Sequence, residues 1–382
     1  MMAAAFEFAR IHRLRMPLVT PFRTSMATET HRELLLLQLR VDGVDGWAEC
    51  AADPEPLYYA EYIGGVADLL TTRVLPMIGA LPRLTSAAVA QCLTGVPGNP
   101  LLKAVVSGAV LDAELKRAGM PLADFLGATR SEVPVGVSIG IQPDTGTLLT
   151  SVEGYLAEGY QRIKLKIRPG ADLEPLRAVR RAFGDDLALQ ADANQAYTTA
   201  DVTHLRRFDE LGLQMLEQPF PAEQLLAHAR LTQVIDTPVC LDESVTGPDS
   251  AATALALGAA SIVNIKPARV GGYPAARAIH DLCRSQGVPV WCGGVLESGV
   301  GRAGNLALAA LPGFTFPGDI SATRRYFAED ITAPFELTDG HLTVPTGPGL
   351  GVSVDLEALR RFTVSTTEVT ASSLPAPSPA HQ

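Results

Sequence analysis

The sequence predicts the α/β fold class: a barrel of eight parallel strands alternating with helices, preceded by a smaller α+β domain. Three observations carry this. From about Val133 onward, short apolar runs alternate with longer segments of helical spacing. Most of the runs end in a charged or polar residue, among them Lys166, Asp192, Glu217, Asp242 and Lys266. The last four follow one another at steps of 25, 25 and 24 residues (192, 217, 242, 266), the length of a strand, a helix and two loops. A doubly wound sheet gathers its ligand groups mainly at one switch point, whereas a barrel brings all its strand ends to one mouth.

The first 130 residues carry strand-like runs over Phe6–Arg15 and Glu33–Val41 and helical runs over Tyr58–Leu70 and Leu101–Arg117, so a separate α+β unit is expected over residues 1–130. Between the two strands lies TPFRTSMATET (20–30), polar and rich in breakers, a natural lid over a barrel mouth. The barrel is expected over residues 131–322. Its strands are read at 133–140 (VPVGVSIG), 162–167 (RIKLKI), 187–193 (LALQADA), 213–219 (LQMLEQP), 238–243 (PVCLDE), 261–266 (SIVNIK), 288–294 (VPVWCGG) and 314–320 (FTFPGDI). Leu176, Val179 and Phe183, and later Ala276, Ile279 and Cys283, give the intervening segments helical spacing. The Pro-, Ser- and Ala-rich stretch 371–382 reads as a disordered tail.

With 382 residues, 47% of them apolar, the chain has the length for two domains and a sizeable core. A net charge of −10 argues against a nucleic-acid binder, because phosphate demands a basic face. An anionic substrate then depends on local positive charge. No stretch approaches the roughly 18 apolar residues of a membrane span, and no secretion signal is evident, so a cytoplasmic protein is expected. The cysteines, Cys50, Cys92, Cys240, Cys283 and Cys292, are scattered and never paired as C-x-x-C, as suits free thiols in a reducing compartment.

Strand ends of a barrel stand side by side, so Asp192, Glu217 and Asp242 would repel one another unless a cation lay among them. All-oxygen ligation favours Mg2+ or Mn2+ over zinc. Helix capping is the plain alternative for any one of these acids, and the constant step sets it aside for the three together. Lys164 and Lys166 alternate with Ile163, Leu165 and Ile167; with the apolar side chains against the helices, both lysines face the barrel interior. Lys266 ends the sixth strand, across the barrel from the second, so Lys166 and Lys266 flank the acids from two sides. A lone lysine at a strand end is usually a solvated charge, but not inside a barrel facing carboxylates. This set suits removal of a proton next to a carboxylate: metal offsets the enediolate charge, and Lys164 with the cation disfavours the charged form of Lys166, the base. Gly299-Val-Gly301-Arg-Ala-Gly304 matches G-x-G-x-x-G but follows the seventh strand rather than the first strand of a dinucleotide-binding unit, so a tight turn into a helix is expected. Cys292 has no evident His or Asp partner and reads as a buried strand thiol.

The ordered set K-L-K (164–166), D-A-N (192–194), E-Q-P (217–219), D-E-S (242–244) and N-I-K-P (264–267) resembles the muconate-lactonizing-enzyme subgroup of the enolase superfamily. W-C-G-G-V-L-E-S-G-V-G-R-A (291–303), F-P-G-D (316–319) and V-P-T-G-P-G-L-G-V (344–352) are similar to the o-succinylbenzoate synthase/N-acylamino acid racemase family, from M-P-L-V-T-P-F-R-T-S (16–25) to about Thr370. The resemblance implies a (β/α)7β TIM-like barrel under an N-terminal α+β capping domain, completed by a return segment over 323–370. It implies Asp192, Glu217 and Asp242 as metal ligands, Lys166 and Lys266 as the acid/base pair, and Lys164 beside them. Asn194, Ser138, Arg269, Gly293, Glu297 and Ser298 are the implied substrate-binding positions, Arg269 being matched in members with racemase activity. Two segments depart from the family, C-A-A-D-P-E-P-L-Y-Y (50–59) and V-L-E-S (295–298), and both are expected near the substrate's side chain. Members commonly form homo-oligomers.

The implied activity is that of a metal-dependent carbon–oxygen lyase acting on a small carboxylate. It dehydrates 2-succinyl-6-hydroxy-2,4-cyclohexadiene-1-carboxylate to o-succinylbenzoate in menaquinone biosynthesis, accompanied by N-acylamino acid racemase activity. A dedicated N-acylamino acid (N-succinylamino acid) racemase is the alternative. Dipeptide epimerase is disfavoured because Asp319-Ile-Ser321 lacks the associated D-x-D pair, and muconate cycloisomerase matches the late motifs poorly. A non-enzymatic barrel would have lost a ligand or a lysine, and none is missing; a nicotinamide oxidoreductase rests on the glycine motif alone.

Overall fold

The computed structural model describes residues 6–24 and 27–374. β1 (Phe6–Arg23), β2 (Thr28–Val41) and β3 (Val44–Cys50) form an antiparallel meander. Its sheet is apolar on both faces, which fixes its position. Ala9, Ile11, Leu35, Leu37 and Leu39 pack on the helix Pro100–Ala118, whereas Leu14, Met16, Leu34 and Leu36 join the core shared with the barrel. β4 (Glu132–Pro134) begins the second half of the chain. Then β5 (Val137–Ile139), β6 (Ile163–Lys166), β7 (Leu189–Asp192), β8 (Met215–Glu217), β9 (Val239–Leu241), β10 (Ile262–Asn264) and β11 (Val290–Trp291) pair in sequence order as one parallel sheet. β12 (His341–Thr343) pairs with β4, and β13 (Thr363–Thr370) returns to pair antiparallel with β1, register Ile11↔Thr367, so the last strand joins the N-terminal sheet.

Alternation along the parallel strands sorts their side chains. Ile163, Leu165, Leu189, Ala191, Leu216, Val239, Leu241, Val263 and Ile265 pack outward in the main core. Lys164, Gln190, Asp192, Glu217, Asp242, Asn264 and Lys266, set off from them by the same alternation, are buried polar groups. Below them Met215, Cys240, Ile262 and Trp291 form a separate apolar cluster that plugs the barrel.

Three expectations are corrected. The eighth strand, 314–320, is not a strand: Pro317 has no N–H and interrupts the ladder. The segment still closes the barrel, through single bridges of Phe314 to Val290 and Gly318 to Val135 and bonds from Thr315 N to Val290 O (3.1 Å) and Gly136 N to Gly318 O (2.8 Å). The 20–30 segment is not an open loop, since Phe22 and Arg23 pair with Glu29 and Thr28; its tip is fastened to the barrel by Ile141 N donating to Arg23 O (2.8 Å), and Ser25 and Met26 lie outside the described residues. In the tail, Ala371–Ser373 form a 3-10 turn, and residues 375–382 lie outside the described part.

Candidate active site

The C-terminal ends of β5, β6, β7 and β10, the loop after β11, and the hairpin and 51–59 loop of the N-terminal sheet line one cavity of about 360 Å³. Ser138, Lys164, Lys166, Asn194 and Lys266 line it from the barrel, facing Phe22, Glu29, Arg32, Asp53, Tyr58 and Tyr59. All three lysines expected at the site are therefore in one place.

The lysines hold the acids directly. Lys166 Nζ donates to Asp192 Oδ2 (2.6 Å) and Asn194 Oδ1 (2.7 Å). Lys164 Nζ stands between Asp192 Oδ2 (3.0 Å), Glu217 Oε2 (2.8 Å) and Asp319 Oδ2 (2.6 Å), 4.8 Å above the Trp291 ring. On the opposite side Lys266 Nζ donates to Asp242 Oδ2 (2.8 Å) and to Tyr58 Oη (3.1 Å), and Tyr58 Oη donates to the same carboxylate oxygen (2.9 Å). Asn264 Nδ2 holds the other Glu217 oxygen at 2.7 Å.

Burial and charge oppose one another here. Burial would drive Lys164 towards neutrality, but Asp192, Asp319 and Glu217 outweigh it and hold the ammonium above the ordinary lysine range. Lys266 is likewise held up against burial, by Tyr59 and by the charges of Glu217, Glu243 and Asp192. Asp192 resists the pull of burial and is kept well below the usual carboxylate range by Lys164 and Lys166. Glu217 goes the other way, raised by burial and by the Asp192 charge. Glu243, raised to about 7 by burial and then by Asp192, has one buried oxygen, Oε2, without a partner.

Asp192, Glu217 and Asp242 are brought to neighbouring strand ends, but each now turns its oxygens to lysine, asparagine, arginine or tyrosine. Among the described residues no three His, Cys, Asp or Glu side chains converge as an ion-binding group. The donor set nevertheless fits a hard divalent cation. It is all oxygen and buried, it already encloses the Lys164 ammonium as a stand-in cation, and the Asp192–Glu217 repulsion is what such a cation would relieve.

The remaining expected positions divide. Ser138 and Asn194 line the cavity, and the buried Ser138 Oγ is unpartnered. Arg269, Gly293, Glu297 and Ser298 do not line it. The Arg269 guanidinium turns back to Asp242 Oδ1, Val245 O (2.8 Å) and Asn264 O (2.6 Å) and braces the acid from behind. Gly293 lets Asn264 and Lys266 pass, where a β-carbon would meet Lys266 Cε at 2.6 Å. Glu297 and Ser298 face the N-terminal sheet behind the cavity wall; the wall itself is Gly294, Val295 and Leu296.

Sequence reasoning missed Tyr58, Asp319 and Arg162. The signal for Arg162 was present, since it continues the alternation of Lys164 and Lys166; its Nη1 lies 2.6 Å from Asp319 Oδ1. Tyr58 stood in a segment that departs from the family, with no periodicity linking it to Lys266.

Comparison with known proteins shows the family. Residues 147–359 match the profile of the enolase C-terminal domain-like family, and residues 8–127 that of the mandelate racemase/muconate lactonizing enzyme N-terminal domain. The chain is 51% identical over 355 residues to an N-succinylamino acid racemase of Amycolatopsis sp, covering 93% of this chain and 96% of that one. It is 45% identical over 364 residues to an o-succinylbenzoate synthase of Geobacillus kaustophilus, covering 95% and 97% respectively. Its fold matches the crystal structure of an enolase-superfamily member from Listeria innocua Clip11262 with a TM-score of 0.92 and 39% identity, over 96% of this chain and all of that one.

Proposed function

The chain belongs to the o-succinylbenzoate synthase/N-acylamino acid racemase family of the enolase superfamily, and from that premise we propose that it is an o-succinylbenzoate synthase. It dehydrates 2-succinyl-6-hydroxy-2,4-cyclohexadiene-1-carboxylate, with N-acylamino acid racemisation as an accompanying activity. The observation that carries the reading is the pair Lys166 and Lys266, facing one cavity from either side of buried Asp192, Glu217 and Asp242.

Enzymes of this superfamily are generally dependent on a divalent metal. Asp192, Glu217 and Asp242 would hold Mg2+ or Mn2+, which when bound supplies positive charge to the substrate carboxylate and so acidifies its α-proton. Lys166 takes that proton and returns it to the departing hydroxide, which leaves as water. Lys266 stays an ammonium, held so by its acidic neighbours, and faces the developing negative charge. Asn194, bonded to Lys166, aims its amine. Ser138 Oγ, buried and unpartnered, is free to meet a polar group of the substrate. Among the described residues no helix is long and apolar enough to cross a membrane. The five cysteines are free, and a cytoplasmic, menaquinone-linked setting and a homo-oligomeric form belong to this reading.

One observation favours a dedicated racemase as the second reading. β6 and β10 are separated by β7, β8 and β9 one way round and by β11, the closing segment and β5 the other. Two lysines so opposed can serve both faces of one carbon. Metal-stripped protein supplied with Mg2+ or Mn2+ should form o-succinylbenzoate, and Lys166→Ala should reduce the rate by about 10²- to 10⁴-fold. Racemisation of N-succinylamino acids without o-succinylbenzoate formation would select the second reading, and neither reaction would reject both.

A further inference from the structure

The glycine motif Gly299–Gly304 opens a helix and is a site of close packing. Each of its glycines is a point where a different part of the chain closes on the helix Gly299–Ala309: a β-carbon at Gly299 would strike Thr332 Oγ1, one at Gly301 would meet Glu297 Cβ (2.8 Å) and Glu49 Cδ (3.2 Å), and one at Gly304 would strike Tyr273 Oη. The free N–H groups at the start of this helix are taken from within. Asp330 Oδ1 accepts from Gly299 N at 2.9 Å. Glu49 Oε2, reaching across from β3, accepts from Ser298 N (3.1 Å), Gly301 N (3.3 Å) and the Ser298 hydroxyl.

Glu49 stands between two walls of the substrate cavity. Going up the chain from it, Ala51 and Asp53 line the cap side; going back from its partner Ser298, Gly294, Val295 and Leu296 line the barrel side. Leu296 holds the left-handed conformation at φ +60°, which a branched, bulky residue adopts only where its surroundings impose it. Glu297 beside it is fixed by Asn305 Nδ2 (2.9 Å) and by Arg302 Nη2 on its carbonyl (2.8 Å). One carboxylate thus ties the cap wall to the end of the strained loop.

We propose that Glu49 is a positioning residue that sets the cavity's width and the conformation of Leu296 by holding the first turn of the helix Gly299–Ala309, and so governs which acyl or side-chain group the enzyme accepts. The selectivity part of this rests on the proposed function; the anchoring part does not. The test uses the metal-loaded full chain and its Glu49→Gln and Leu296→Gly variants. In Glu49→Gln the amides of Ser298 and Gly301 should exchange with deuterium at least tenfold faster, with those of β6 to β8 unchanged. The ratio of kcat/KM for N-succinyl over N-acetyl substrates should shift by fivefold or more. Adding Glu49→Gln to Leu296→Gly should shift it no further, because the group through which Glu49 acts is already gone. Unchanged amide exchange overturns the proposal. So does faster exchange, or a lowered Tm, with the substrate ratio unmoved, the result of a merely structural bond. A wild-type protein that turns over no acylamino acid defeats the racemase part of the functional reading and the selectivity claim with it, while the exchange arm still decides whether Glu49 anchors the loop.

Discussion

Tyr58 brings a hydroxyl from the N-terminal unit into the middle of the barrel's charge network, between Lys266 Nζ and Asp242 Oδ2. Burial, and then Glu243, holds the phenol far above its ordinary range, so it serves as a neutral donor. A hydrogen bond to a charged group contributes about 1.5–3 kcal/mol. Tyr58→Phe should therefore lower kcat/KM by roughly 10- to 100-fold, with Tm little changed, as steady-state kinetics and a melting curve would reveal. His228 is a second residue with a definite consequence. Its Nδ1–H donates to Gln224 O (3.0 Å) and its Nε2 accepts from Phe220 N–H (3.3 Å), the second of which requires a neutral ring. Burial accordingly holds its pKa down at about 4 rather than 6.5. Between those values the unfolded chain binds a proton that the folded chain refuses. This contribution is thus complete above about pH 6.5 and is lost as pH falls towards 4, on the order of 3 kcal/mol. Urea midpoints at pH 7 and pH 4.5 should differ less in His228→Gln than in the parent; an equal difference would show that the ring is not held neutral.

Strands and helices were legible where their residues repeat. The 24- and 25-residue steps located β7 to β10 and their acids, and alternation in I-K-L-K-I placed both lysines inward, because one face of each strand must meet the helices. The eighth strand misled because its apolar residues carry the pattern while Pro317 denies it a ladder. The hairpin tip misled in the opposite sense: polar residues read as loop are held in pairing at Phe22 and Arg23. The glycine motif was visible, but its meaning lay in the neighbours and not in the spacing. Gly304→Ala should lower stability by about 1–3 kcal/mol through overpacking against Tyr273, read as a fall in Tm, while the kcat of the folded fraction stays near that of the parent. An unchanged Tm would mean that Tyr273 moves aside freely.

At the scale of the whole molecule, what escaped the sequence is what the chain assembles from far apart. Tyr58 meets Lys266 across 208 positions and Glu49 meets Ser298 across 249, and no local pattern announces such pairs. Arg269 lies only 27 positions from its partner, and its place near Lys266 was legible, but its guanidinium turns back to Asp242 instead of into the cavity. The barrel carries the lysines and acids, while the N-terminal sheet, completed by β13, closes over them and supplies Tyr58. The racemisation proposed beside the dehydration depends on one claim, that Lys166 and Lys266 address a single substrate carbon from opposite sides and each can exchange a proton with it. The direct measurement is α-proton exchange of each enantiomer of an N-succinylamino acid in deuterated water, with metal present, in Lys166→Ala and Lys266→Ala. The account predicts that each variant loses exchange of one enantiomer and keeps some exchange of the other, with the choice reversed between the two. Two variants that both retain exchange of both enantiomers, or that fail on the same one, would contradict it.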